Sequence, residues 1–261
     1  MMDLRDFLPA IVPMSSRDYE KLSWKGVLRH IGPVSDATPL QVALTGKTNC
    51  ALYLIYMGCI AICIKRTQFI LDQRLNPMLL EQVFAYQYDW RYPKPFGITI
   101  DDVENLDDKT TAIRRSLLYF FFEIVGKAKT FFAPVRPVSE ISFIINLTRH
   151  LCGKENASVV DGWVAGIIER MNQIAPFTGH NDPVIYNYPD RESWEAAARQ
   201  THGTPLPPEV LDLARDLSGL DLATMATNWL FQIDPEVNPL LQPADVVIAK
   251  GFQGIPYRTG P

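Results

Sequence analysis

The histidines are the side chains with the most metal-binding and catalytic potential, and their spacing completes no known motif. His30, His150, His180 and His202 lie far apart in the sequence. The HExxH pattern of zinc proteases is absent, and so is the ExxH pairing by which helical di-iron proteins place two ligands on one helix face. We therefore predict no metal site and no cofactor, although the spacing leaves open whether the histidines converge in the fold.

The motifs that bind phosphate or activate a nucleophile are also missing. The sequence contains no GxxxxGK[ST] loop, no GxGxxG after a strand and no GxSxG elbow. The acidic pairs at 101–102 and 107–108 do not complete a DDxxD pattern, and they lie where a helix is predicted to begin. Acidic side chains at a helix start complement its dipole, so capping is the favoured role. These absences favour a protein that is not an enzyme.

Glu123 is the best isolated candidate for acid-base chemistry. It follows the aromatic run Tyr119 to Phe122, and an acid in an apolar pocket can have a raised pKa and exchange protons. Lys127 stands four residues further on, which is the favourable spacing for a surface ion pair. The surface ion pair is the favoured interpretation.

Two segments combine aromatic and charged residues of the kind that anchor protein interfaces. Tyr, Trp and Arg join a large apolar area to a polar tip, and loops carry binding residues more often than helix faces do. The alternative, which is the favoured interpretation, is that these aromatic residues pack the loops onto the body. The candidate partner-binding residues are Tyr88, Asp89, Trp90, Arg91 and Tyr92 in the first segment, and His180, Asp182, Tyr186, Tyr188 and Asp190 in the second.

Charge is distributed unevenly along the chain. Residues 176–261 contain 11 acidic and 5 basic residues, a balance of −6, whereas the rest contains 18 acidic and 20 basic residues, a balance of +2. The total of −4 argues against nucleic-acid binding. We expect a protein partner, and an acidic surface would attract a cationic one. A face kept acidic for solubility is the alternative, and it is the favoured interpretation of the charge.

The residues 50–64 form an uninterrupted run of 15 uncharged, mostly apolar residues. A membrane span needs about 20 such residues, so a buried central helix is favoured over membrane association. The N-terminus lacks the basic and apolar regions of a signal peptide. Three of the four cysteines lie in the apolar run, and none shows the spacing of a disulfide framework. We expect a soluble, cytoplasmic protein.

Long stretches free of proline indicate helices, because proline breaks a helix interior. Apolar periodicity and capping residues predict helices at 17–31, 49–75, 76–93, 108–130, 139–152, 156–174, 190–200, 208–217 and 221–231. Ser16, Asp107 or Asp108, and Ser139 are the expected caps of three of them. Extended pieces are predicted only at 96–100 and 246–249.

The sequence thus predicts an all-α, multi-helix, bundle-like single domain over 1–261. Its acidic, proline-rich C-terminal region at 176–261 is expected to be partly extended and to pack on the helical body. We favour a non-enzymatic protein-binding module that acts by surface complementarity, for example an immunity or inhibitor protein that neutralises a cationic toxin. The alternative is a helical enzyme or small-molecule carrier with a pocket between helices, built around Glu123, His150, His180 and Asp182.

Overall fold

Helices dominate the part of the chain that the structure describes. A computed structural model describes residues 4–24, 38–68, 70, 75–95, 108–127, 137–177 and 189–258, and within them it has nine α-helices and no β-strand. The predicted all-α fold is confirmed. The helices are α1 Ser16–Lys21, α2 Pro39–Thr45, α3 Asn49–Arg66, α4 Leu75–Tyr86, α5 Lys109–Lys127, α6 Val138–Ile174, α7 Arg191–His202, α8 Leu222–Gln232 and α9 Ala244–Ala249, with 3-10 turns at Arg5–Phe7 and Pro208–Leu211.

Side-chain caps fix where several helices begin. The Asp190 and Asp221 carboxylates accept hydrogen bonds from the third backbone N–H of α7 and α8, as their positions in the sequence predict. Asp108 accepts a bond of 2.7 Å from the Thr111 N–H and so caps α5. The cap of α1 is Ser15, one residue before the predicted Ser16, and its hydroxyl pairs with Asp18 in a capping box.

Helix α3 is the centre of the hydrophobic core, and every residue from 50 to 64 is buried. Helices α4 and α6 pack along it. In the described part of the chain, α3 alone has the length and hydropathy of a membrane span, and 94% of that stretch is buried inside the fold. The predicted buried helix is confirmed, but it ends at Arg66 instead of continuing to residue 75.

Helix α6 consists of two helical segments that meet at Gly153. The φ of Gly153 is 68°, which lies in the left-handed region, and glycine adopts this region at little cost because it has no Cβ. The sequence predicts this boundary correctly. The first segment begins at Val138 after Pro137, so Ser139 is not its cap. An ion pair between Arg149 and Asp161 spans the break.

The C-terminal third departs most from the predicted elements. The helix expected at 208–217 is reduced to the 3-10 turn Pro208–Leu211. The piece expected to be extended at 246–249 belongs to α9, while 96–100 lies outside the described residues. β-branched Val246, Val247 and Ile248 favour strands only where a sheet can receive them, and the described residues contain none.

Candidate interaction surface

The first aromatic segment follows α4, which ends at Tyr86 instead of near Pro93. Tyr88, Asp89 and Tyr92 are buried, and Trp90 and Arg91 are half-buried. Three of these five candidate residues therefore lie inside the fold. For Tyr88, Asp89 and Tyr92 the structure favours the packing alternative, and Trp90 and Arg91 keep the exposure that a contact with a partner needs.

The buried aromatic residues of this segment hold the end of the chain against the body. Tyr92 and Tyr257 are stacked, with ring centroids 4.2 Å apart and planes 22° from parallel. The Tyr257 N–H donates to the Tyr92 hydroxyl over 3.1 Å, and the Tyr257 hydroxyl donates to the Gln242 carbonyl over 2.8 Å. Burial raises the pKa of Tyr92 to about 12 and also raises the pKa of Tyr257. Both phenols therefore remain neutral hydrogen-bonding groups.

Backbone hydrogen bonds extend this contact between the first aromatic segment and residues 240–258, which we call the tail. The Gln242 N–H donates to the Tyr92 carbonyl over 2.7 Å, and the Lys94 N–H donates to the Leu240 carbonyl over 2.8 Å. The Gln82 side-chain amide donates to the Lys94 and Leu240 carbonyls over 3.1 and 3.0 Å. The tail is thus fixed to the body by buried hydrogen bonds, and that packing occupies most of the aromatic segment.

The charge of Arg91 is matched within the segment. Its guanidinium donates two hydrogen bonds to the Asp89 carboxylate, over 2.7 and 2.6 Å, and these bonds raise the pKa of Arg91. The guanidinium also lies 5.0 Å from the centroid of the Phe252 ring. Arg91 therefore stabilises the contact with the tail and presents little net charge to a partner.

The second aromatic segment is mostly outside the described residues. His180, Asp182, Tyr186 and Tyr188 fall there, and Asp190 is exposed at the N-terminus of α7. The Asp190 carboxylate accepts a bond of 2.7 Å from the Ser193 N–H, and this bond lowers its pKa.

Within the described chain, residues 209–237 carry a concentration of negative charge, and we call them the acidic segment. It contains six acidic residues and one basic residue, Arg215, a balance of −5. Glu209 accepts bonds from the Trp229 indole N–H at 3.0 and 3.2 Å and lies 3.9 Å from the Arg215 guanidinium. Within the described chain, the remaining five carboxylates have no basic side chain at ion-pair distance: Asp212, Asp216, Asp221, Asp234 and Glu236.

Short-range hydrogen bonds orient several of these carboxylates. Asp216 accepts from the Ser218 N–H over 2.9 Å, and Asp221 accepts from the Thr224 N–H over 3.0 Å and the Thr224 hydroxyl over 2.7 Å. These bonds lower the pKa of Asp216 and Asp221, because they stabilise the charged form. Both residues therefore stay negative well below neutral pH.

Helix α8, which lies within the acidic segment, has a buried inner face and an exposed outer face. Ala226 and Leu230 are buried, and Trp229 meets Phe7 edge to face with ring centroids 6.4 Å apart. On the opposite side, Asp221, Thr224, Asn228 and Phe231 are exposed and recur every three or four residues, as one face of a helix requires. We call these four residues, together with Asp234, Glu236 and Val237 directly after the helix, the α8 outer face.

Two large apolar side chains lie exposed on the α8 outer face. Phe231 is 41% exposed and Val237 is 59% exposed. Sequence reasoning did not single out either one. The sequence contained a clue to the exposure of Phe231. Consecutive residues point to different sides of a helix, so Phe231 cannot lie on the same face as Leu230, and an amphipathic helix buries only one face.

The two histidines that the structure describes lie within hydrogen-bond distance of backbone carbonyl oxygens, and the four cysteines are buried. His202 Nε2 lies 2.7 Å from the Gln87 carbonyl oxygen, and the Cys50 thiol donates to the same oxygen over 3.7 Å. Burial raises the pKa of the Cys50 thiol and lowers the pKa of His202, so both are neutral. His150 Nε2 lies 2.9 Å from the Ser23 carbonyl oxygen.

The described residues bring no three potential ligands together for a metal ion. His30, His180, Asp182 and the side chain of Glu123 lie outside what the structure describes, so the alternative site of Glu123, His150, His180 and Asp182 stays a prediction. Compared with models of known protein families, with curated proteins and with solved structures, the chain matches none of them.

Proposed function

We propose that this protein is a binding module that recognises a cationic protein by surface complementarity, as an immunity or inhibitor protein does when it neutralises a basic toxin. The observation that carries the proposal is the acidic segment, where five carboxylates lack an ion-pair partner among the described residues. Four of them, at Asp216, Asp221, Asp234 and Glu236, are exposed.

An unmatched acidic surface has a physical consequence for association. Its field steers a positively charged partner into productive encounters and raises the association rate, an effect that added salt screens. The Asp216 and Asp221 carboxylates are already held by hydrogen bonds from the Ser218 and Thr224 backbone N–H groups, so binding immobilises them at little further entropic cost.

A selection from a random peptide library tests the proposal without knowledge of the natural partner. Phage-displayed peptides would be selected on the immobilised protein at low salt. They would be compared with peptides selected on a variant that carries Asp216→Asn, Asp221→Asn, Asp234→Asn and Glu236→Gln. We expect the protein to enrich sequences rich in Lys and Arg that the variant does not retain. Enrichment of neutral or acidic sequences, or equal retention by the variant, would contradict the proposal.

The inhibitory role is tested separately with purified basic nucleases, which serve as cationic partners whose activity can be measured. A stoichiometric complex on size exclusion together with loss of nuclease activity supports neutralisation. A complex that leaves nuclease activity intact would support the proposed binding function and contradict the proposed inhibitory role.

A further inference from the structure

We infer that the α8 outer face is the docking surface of this protein, and that its occupant is a basic amphipathic segment of a partner protein. This inference rests on the proposed function and specifies the surface and the chemistry of the partner. Its basis is the combination, along α8 and the residues directly after it, of exposed apolar side chains with exposed carboxylates.

The apolar side chains give the surface its first requirement. Phe231 lies at the C-terminal end of the outer face and Val237 follows a few residues later, and both are more than one-third exposed. Leu220, also exposed, stands directly before Asp221 at the other end. Burying such side chains against a partner releases water and contributes most of the affinity at an interface. The partner must therefore supply apolar side chains of its own.

The charges give the second requirement. Asp221 lies at one end of α8, and Asp234 and Glu236 lie beyond the other end, so carboxylates flank Phe231, and Leu220 and Val237 lie directly beside them in the sequence. From Asp221 to Phe231 the helix rises about 15 Å, which two to three turns of a partner helix match. Lys and Arg beside apolar residues complement this arrangement, whereas nucleic-acid phosphates would be repelled.

The inner face keeps α8 in place during such an encounter. Leu230 and Ala226 are buried, and the Trp229 indole donates to Glu209 in the 3-10 turn Pro208–Leu211. Arg170 of α6 donates to four backbone carbonyls at residues 210–215 and so fixes the segment before α8: those of Val210, Asp212, Leu213 and Arg215. The outer face is thus a preformed surface, and binding does not require it to fold.

Fluorescence anisotropy with two synthetic peptides tests the inference. The first probe is a labelled 14-residue peptide with Leu and Lys at helical spacing, and the second has Ser in place of each Leu. The charge variant is D221N/D234N/E236Q. Its new amide side chains at positions 221 and 234 keep an oxygen that can accept from the Thr224 and Glu236 backbone N–H groups. The apolar variant is F231Q.

Matched controls carry equal changes on other elements. E20Q/E155Q/E192Q removes three exposed charges from α1, α6 and α7, and V42S removes an exposed valine from α2. Far-ultraviolet circular dichroism verifies that all variants remain folded.

We expect the Leu/Lys peptide to bind the wild type and to lose about tenfold in affinity to D221N/D234N/E236Q and a similar factor to F231Q. The two controls should change the affinity by less than about threefold, and F231Q should not alter binding of the Ser/Lys peptide. Equal losses of affinity in the charge variant and its control, or no effect of F231Q on binding of the Leu/Lys peptide, would contradict the assignment of the α8 outer face as the docking surface. Absence of any binding of either peptide to the wild type would overturn the proposed function as well.

Discussion

Helices α3 and α8 use similar apolar residue types for opposite purposes. All residues of α3 except Lys65 are buried, whereas α8 buries only Ala226 and Leu230 completely. A helix that is covered on every side contributes to the core and cannot meet a partner. A helix that is covered on one side is held in place and still offers its other face. Stability therefore resides around α3, and α8 leaves an exposed face that a partner could contact.

The two helices also differ in how their polar groups are satisfied. At the end of α3, Arg66 donates to the Leu151 and Val12 carbonyls, and the Cys63 thiol lies 3.2 Å from the Thr148 hydroxyl. On α8, the outer polar side chains of Thr224 and Asn228 face solvent. Substitutions in the first region should therefore affect folding, and substitutions in the second should affect binding.

Removal of a large side chain against α3 should give the largest loss of stability. Trp163 on α6 is buried, and its indole N–H donates to the Leu211 carbonyl over 3.1 Å. Trp163→Ala should lower the free energy of unfolding by about 3–5 kcal/mol, because it creates a cavity and leaves that carbonyl unpaired. Urea denaturation measures the change. Phe231→Ala on α8 is the comparison and should cost about 1 kcal/mol or less. Equal losses would contradict the division between the two regions.

An added methyl group should have opposite effects on stability at a tightly packed glycine and at an open glycine of the two core helices. A Cβ at Gly58 of α3 would come 2.6 Å from the Trp163 ring, whereas a Cβ at Gly162 of α6 would meet nothing within 4 Å. Gly58→Ala should therefore destabilise by about 1–3 kcal/mol through overpacking. Gly162→Ala should stabilise by about 0.5–1 kcal/mol, since alanine favours a helix. Thermal unfolding of both variants checks the signs, and the same sign for both would be incompatible with the packing of α3 against α6.

The elements that sequence predicts well are those with local causes. Helices α5, α7 and α8 follow from an Asp cap directly before a stretch free of proline, and α3 follows from the uninterrupted apolar run. The sequence places the end of α3 at residue 75 instead of Arg66, because Phe69, Ile70 and Leu75 continue the apolar pattern beyond Thr67.

Features with long-range causes were not predictable. The burial of Tyr92 depends on Tyr257, which is 165 residues away in the sequence, so its loop position alone suggests exposure. The acidity of the C-terminal third is visible from counting, but its concentration on the α8 outer face requires knowledge of which carboxylates pair and which face is covered.

The pH dependence of stability should report the lowered pKa of His202, which is buried at the end of α7. Burial lowers the pKa of His202 below its ordinary 6.5, although the bond to the Gln87 carbonyl and the nearby Asp89 oppose this. As the pH falls through about 6.5, the unfolded state takes up a proton before the folded state does, so the free energy of unfolding decreases. Urea denaturation between about pH 7.5 and 5.5 should show a smaller decrease in His202→Gln. Identical slopes would show that His202 titrates normally in the folded protein.

The smallest effect on folding is expected at the α8 outer face. D221N/D234N/E236Q retains the hydrogen-bond acceptors at 221 and 234 and disrupts no ion pair of the described residues. Its Tm should lie within about 2 °C of the wild type at neutral pH. A much larger decrease in a thermal scan would mean that these carboxylates stabilise the fold, which would remove them as free groups for a partner.

Hydrogen exchange of backbone amides, followed by mass spectrometry with and without the Leu/Lys peptide, tests the account most directly. We predict that the amides of α3 exchange slowest in both states, and that the peptide slows exchange at residues 220–237 with little change elsewhere. Fast exchange throughout α3, or protection by the peptide only outside residues 220–237, would contradict it.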